Sequence, residues 1–233
     1  PASRSGILGF IMENYANQST LLISTHLIND LENIFTHALF IGNGKALINS
    51  VSGKEESMRQ IFPLAAKYGG FIVALTLDED GIPSTAEGRV EIAKKILRVA
   101  AEYGINKKDI IFDPLCMTIS TDDNAALETL KALRILRYEL GCHTSLGVSN
   151  VSFGLPERNA INSVFFGSAL ENGLSAAIMN PYSYDMMKTY FSYRALHGMD
   201  PNCSDYIDFC SKYTIETTTK ETSAKVSAQS GES

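Results

Sequence analysis

An α/β fold built on a parallel sheet is predicted by three observations. From Gly44 to about Tyr213, short apolar runs alternate with longer segments of helical periodicity, the pattern of repeated βα units. The apolar runs, Phe71–Leu77 above all, are near-continuous rather than alternating, as expected of strands buried on both faces of a parallel sheet. Each run ends in polar residues: Asn49-Ser50, Thr76 and Asp78, Asp113, Ser149-Asn150, and Asn180. Parallel α/β proteins present their chemistry at such C-terminal strand ends. Five polar ends around one rim suit a barrel mouth better than an open sheet. The expectation is a partial TIM (β/α)8-type barrel of about five βα units, since a complete one has eight and about 250 residues.

The elements follow in order. Ala46–Ile48 is a short strand. Glu55–Tyr68 is a helix with Met58, Ile61, Phe62 and Ala65 on one face. Pro63 inside it should kink or break it, and Gly69-Gly70 ends it. Phe71–Leu77 is a strand, and Asp78–Pro83 is a loop of turn formers. Thr85 caps a helix that runs to Tyr103 and closes at Gly104. Ile110–Phe112 is a strand. Asp122 or Asp123 caps a helix to about Leu140, closed by Gly141. Ser145–Val148 is a strand, Glu157–Asn172 a helix, and Ala176–Met179 a strand ending in Asn180-Pro181. Helices over Ser183–His197 and Ser204–Lys212 complete the series. From Thr214 the chain is rich in Thr, Ser, Lys and Glu, a composition that buries too little surface to offset ordering entropy. It reads as a disordered linker or tail.

Composition excludes several classes. The 233 residues carry a net charge of -6, with 45% hydrophobic residues and no basic run, which argues against a nucleic-acid surface. No apolar stretch approaches the roughly 20 residues of a membrane span. The start, Pro1-Ala2-Ser3-Arg4, is neither a signal peptide nor an initiator Met, so the chain reads as a fragment of a cytoplasmic protein. Cys116, Cys142, Cys203 and Cys210 form no CxxC pair, and the four histidines show no metal-ligand spacing. They read as reduced thiols and ordinary histidines, with no metal site. Cys116, Cys142 and His143 are the one set from which a zinc site could be drawn.

The chemistry-bearing residues concentrate between 111 and 158. Ile111-Phe-Asp-Pro-Leu-Cys-Met117 delivers Asp113 at one strand end. Leu146-Gly-Val-Ser-Asn-Val-Ser-Phe-Gly-Leu-Pro-Glu-Arg158 delivers Asn150 at the next. A carboxylate accepts from ring N–H and amino groups, and a carboxamide both donates and accepts. The pair suits a neutral, planar, nitrogen-rich ring. Asp113-Pro114 also reads as a strand-end Asx turn, and Asn150 as a helix cap.

With Asn43-Gly-Lys-Ala-Leu-Ile-Asn-Ser50 and Ala176–Pro181, these motifs resemble the pterin-binding (methyltetrahydrofolate) domain of cobalamin-dependent methionine synthase and related corrinoid methyltransferases, over about 43–213. The resemblance implies a TIM barrel that binds pterin in its mouth and a methyltransferase activity. In it, the N5 methyl group of methyltetrahydrofolate passes to cobalamin carried on a partner domain. It further implies that Asn49 lines the pterin site, that Asp113 accepts from the pyrimidine edge, that Asn150 sits near N5, and that Arg158 lies at the rim toward the rest of the folate. An amide at N5 would assist departure of a poor leaving group. Nothing in the sequence resembles a nucleophilic triad, so the nucleophile would be cobalt.

Upstream of Asn43 the family pattern does not continue, and the Asp-Thr or Asp-Ser motif of its early strands is missing. Residues 1–45 instead resemble the C-terminal part of an ABC transporter ATPase domain, with Ser24-Thr-His26 as its switch motif and a strand turning on Asn43-Gly-Lys45. No Walker A motif, Walker B aspartate or ABC signature is present, so nucleotide hydrolysis is not expected, and His26 has no phosphate loop to serve. The expected organisation is therefore an ABC-like strand–helix–strand over 1–45, a pterin-binding barrel domain over 46–213 lacking its first three strands, and a tail over 214–233. The alternative reading is a non-catalytic chimeric fragment with an incomplete folate site.

Overall fold

The computed structural model describes residues 45–212. The ABC-like segment and the tail, except for Lys45, lie outside the described residues. Five strands, β1 (Leu47–Ser52), β2 (Phe71–Leu75), β3 (Ile110–Asp113), β4 (His143–Gly147) and β5 (Ala176–Ile178), form one sheet in the order β1-β2-β3-β4-β5. Every pairing is parallel. The crossovers carry helices α1 (Glu55–Tyr68), α2 (Ala86–Glu102), α3 (Ala125–Arg134) and α4 (Arg158–Glu171), and α5 (Tyr184–Leu196) follows β5. Right-handed crossovers between strands in strictly sequential order keep all helices on one side of the sheet. That is the winding of a (β/α)8 barrel rather than of a doubly wound sheet, in which strand order reverses.

The two sides of the sheet are chemically distinct. Ile48, Val51, Ile72, Ala74, Ile110 and Phe112 point to the helices and join a core with Met58, Ile61 and Phe62 of α1 and Val90, Ala93 and Ile96 of α2. A second core gathers Leu133 of α3, Leu146, Val148 and Val151, Phe165, Phe166 and Ala169 of α4, and Met186 of α5. Phe62 is fully buried, and Phe62→Ala is expected to destabilise the protein by about 3–5 kcal/mol in urea titration. The inner side carries the alternate residues: Asn49 in register with Val73, Val73 with Ile111, Ile111 with His143, and Leu75 with Asp113.

Several local expectations hold and others are corrected. α1 has the expected bounds and buried face, and Gly69 ends it at φ 74°. Gly70 follows at φ 142°, where a Cβ would come within 2.9 Å of the Ala46 carbonyl oxygen. Glycine thus lets β2 start alongside β1. Pro63 does not break α1. Pro63 and Arg59, whose carbonyl loses its donor, are both exposed, so water can satisfy that carbonyl while buried Ile61 and Phe62 hold the turn. Thr85 caps α2, its Oγ1 accepting from the Gly88 N–H. Neither Asp122 nor Asp123 is the N-cap of α3. Asp122 accepts from the N–H groups of Asn124 and Ala125, and Asn124 caps the helix through its backbone alone. The helix continues into a wider last turn over Ile135–Glu139, closed by Leu140 N–H on the Ile135 carbonyl. β1 runs past Asn49 to Ser52, with an irregularity in register between Asn49 and Val51.

Candidate functional site

Asp113 is the last residue of β3 and is 7% exposed. Its Oδ1 accepts from the Leu115 N–H at 2.8 Å, so the Asx-turn reading is correct. It uses only one carboxyl oxygen, and among the described residues no donor meets Oδ2. Burial raises the Asp113 carboxyl to about 6, against the smaller lowering effect of the Leu115 N–H. A buried carboxylate with a spare oxygen at a strand end is a receptor for N–H donors. Leu115 itself sits at φ 64°, a conformation that costs a branched side chain of order 1 kcal/mol.

β4 ends at Gly147, and Asn150 lies beyond it in the tight turn Val148–Ser152. Register places His143, Ser145 and Gly147 on the inner side, the side of Asp113. A Cβ at Gly147 would meet Asn150 Nδ2 at 3.0 Å and its Cγ at 3.6 Å. The Asn150 amide therefore folds back over the end of β4, on the strand next to β3. Asn150 is not the cap of α4, which begins at Arg158 after Glu157. Gly147 has φ -76°, which alanine adopts freely. Gly147→Ala should therefore displace the amide with a melting temperature shift of at most a few degrees, which thermal melts check.

Arg158 opens α4 and is exposed. Its Nε donates to Ser152 Oγ at 3.0 Å and its Nη2 to the Ser149 carbonyl at 2.7 Å, and its guanidinium lies 5.8 Å from the Phe153 ring centroid. Ser152 Oγ in turn donates to Asn162 Oδ1 at 2.7 Å. Arg158 and Asn162 thus brace the turn that carries Asn150. Asn49 is exposed on the inner side of β1, two strands from Asp113 and one inner rung lower. The structure brings Asp113 and Asn150 together at adjacent strand ends. Asn49 lies on the same inner side two strands away, and Arg158 braces the turn that carries Asn150.

A groove of about 490 Å³ opens beside this rim, lined among others by Ser149, Asn159, Asn162, Asn180 and Asp185. It includes none of Asn49, Asp113, Asn150 and Arg158. Asn180 Oδ1 accepts from the Tyr182 N–H, the turn role its sequence suggests. Cys116 and Cys142 belong to different cores, which separates the set from which a zinc site could be drawn. Among the described residues no group of three His, Cys, Asp or Glu side chains gathers for a metal ion. None of the four cysteines is in a disulfide. Burial pushes the Cys116 thiol up to about 12, so it is a neutral core group and not a nucleophile.

Sequence reasoning missed Arg89, Ser152, Asn162 and two buried hydroxyls with no hydrogen-bond partner, Thr76 Oγ1 and Ser145 Oγ. Arg89 had a visible signal: it interrupts the stripe of Ala86, Ala93, Ile96 and Ala100 that α2 buries.

The family described as pterin binding enzyme matches residues 32–180. The chain belongs to this family. The match begins at residue 32, inside the 1–45 segment that resembles an ABC transporter ATPase domain, and includes Asn49, Asp113, Asn150 and Arg158. Among similar proteins, a methylcorrinoid:tetrahydrofolate methyltransferase of Eubacterium limosum is 35% identical over 165 residues, 69% of this chain and 60% of its own. The methionine synthases of Mycobacterium tuberculosis and Mycobacterium leprae are each 36% identical over 150 residues. That stretch is 59% of this chain, and 13% and 12% of theirs. The chain thus spans at most about 60% of the length of these relatives. Among the described residues no helix is long and apolar enough to cross a membrane.

Proposed function

We propose that the chain is the folate-binding domain of a corrinoid-dependent methyltransferase. It binds 5-methyltetrahydrofolate on the concave face and presents the N5 methyl group to a corrinoid carried by a partner domain. The observation that carries this reading is the placement of a buried, spare-oxygen carboxyl, Asp113, and an exposed carboxamide, Asn150, at adjacent strand ends on one face of a family barrel.

Asp113 would accept from the N3–H and 2-amino groups of the pterin, fixing the ring in its plane. Asn49 would approach the ring from the β1 side. The Asn150 amide would then meet N5. A tertiary amine leaves poorly, and an N–H donor aimed at N5 stabilises the charge that gathers there as the C–N bond breaks. The corrinoid supplies the cobalt nucleophile when bound. With Cys116 held neutral inside the core, this face offers no thiolate acceptor of its own. A group that stabilises the transition state lowers the barrier in both directions. The same Asn150 therefore serves methylation of the corrinoid and the reverse transfer to tetrahydrofolate, and the companion domains set the direction. Four cysteines outside any disulfide and a folate substrate suit a cytoplasmic setting.

The test is turnover of 5-methyltetrahydrofolate with free cob(I)alamin as acceptor, followed by its absorbance. Methyl transfer abolished by Asp113→Ala supports the reading. Binding of the folate without any transfer, with the partner domain also supplied, would contradict it.

A further inference from the structure

One buried cation has no part in the proposed chemistry. Arg89 of α2 is 2% exposed, and burial draws its guanidinium below its ordinary range. Burying a cation without a paired carboxylate is expensive. Glu128 and Asp122 act on it only from a distance, because Glu128 caps α2 at the Ala86 N–H and pairs with Lys131. Arg89 instead donates to three oxygens. Nε meets the Pro83 carbonyl at 2.9 Å, and Nη1 meets the Leu115 carbonyl at 3.2 Å and Thr129 Oγ1 at 3.0 Å. Two of these belong to the loops that follow β2 and β3 at the barrel mouth.

Leu115 links this clamp to the site. Its carbonyl accepts from Arg89, its N–H donates to Asp113 Oδ1, and it holds the left-handed conformation that lets it do both. We propose that Arg89 is a positioning residue for the Asp113 carboxyl. By fixing Leu115, it holds Oδ1 in the turn and leaves Oδ2 for the ligand. The inference rests on the reading of Asp113 as the acceptor of the pterin's pyrimidine edge. It explains why α2 tolerates a guanidinium on its buried stripe. A purely structural role needs the loops to be filled, not the carboxyl to be oriented.

The experiment measures, on the full chain, the dissociation constants of 5-methyltetrahydrofolate and of its 2-desamino analogue, which lacks one donor to Asp113. Their ratio cancels any general loss of folded protein. In the wild type the ratio is expected to be about 10–100, the value of one hydrogen bond to a charged group. In Arg89→Met it falls to about 3 or less, because a mispositioned carboxyl no longer distinguishes the ligands. Arg89→Lys, which cannot span all three oxygens, gives an intermediate ratio and decides the matter if Arg89→Met does not fold. A wild-type ratio near 1 overturns the reading of Asp113 itself. A wild-type ratio retained in Arg89→Met, or in Arg89→Lys where only that variant folds, overturns the role of Arg89 alone.

Discussion

Replacing Asp113 by Asn should make the protein more stable and its pterin site weaker. The sign follows from the carboxyl's folded-state value of about 6, raised above the ordinary 3.8. Between those values the folded chain binds more protons than the unfolded one, so stability falls as pH rises through this window. At pH 7 the wild type holds an ionised carboxylate that burial disfavours. An Asn amide oxygen can still accept from Leu115 N–H, but carries no charge. Asp113→Asn is therefore expected to gain about 1–3 kcal/mol at pH 7. That gain should vanish below about pH 4, where the wild-type carboxyl is protonated in both states. The ligand responds in the opposite sense. Its N–H and amino groups would face an NH2 group in place of the acceptor Oδ2, and affinity should fall about 10–100-fold or more. Urea unfolding at pH 4 and pH 7, beside calorimetric titration, reads both halves. A residue that merely built the fold would lose stability and affinity together.

Asn150→Ala should separate binding from chemistry. Asn150 is exposed and lies past the end of β4, so its truncation is expected to move stability by about 0.5 kcal/mol or less. If the amide acts on N5 chiefly as the bond breaks, kcat should fall about 10²–10³-fold, while folate affinity changes less than about tenfold. Single-turnover transfer to cob(I)alamin isolates the step. A fall in affinity as large as the fall in rate would recast Asn150 as a binding residue.

The regular parts of this fold were legible because pattern and packing agree. α1 shows its buried face in the spacing of Met58, Ile61, Phe62 and Ala65, and α2 is bounded by Thr85 and Gly104. Asp113 ends β3, as the short apolar run before it implies. Details that depend on non-local partners were not legible. Pro63 survives inside α1 because exposure lets water replace the lost donor. The caps of α3 depend on how the 120–124 turn folds back. The resemblance places Arg158 at the rim, and its bonds to Ser149 and Ser152 could not be read from sequence. The raised carboxyl of Asp113 depends on three-dimensional burial, and Leu115 adopts its left-handed conformation without the glycine that would have announced it.

The central claim is that the ionised Asp113 carboxyl receives the pterin, and the pH profile of binding tests it most directly. Affinity for 5-methyltetrahydrofolate is measured from pH 5 to pH 8 in the wild type and in Asp113→Asn, and the difference between the profiles removes the ligand's own titration. The expected difference is constant above about pH 6 and shrinks by roughly tenfold per unit below it, as the wild-type carboxyl protonates. Profiles that coincide across the range, with equal affinities, would contradict the account.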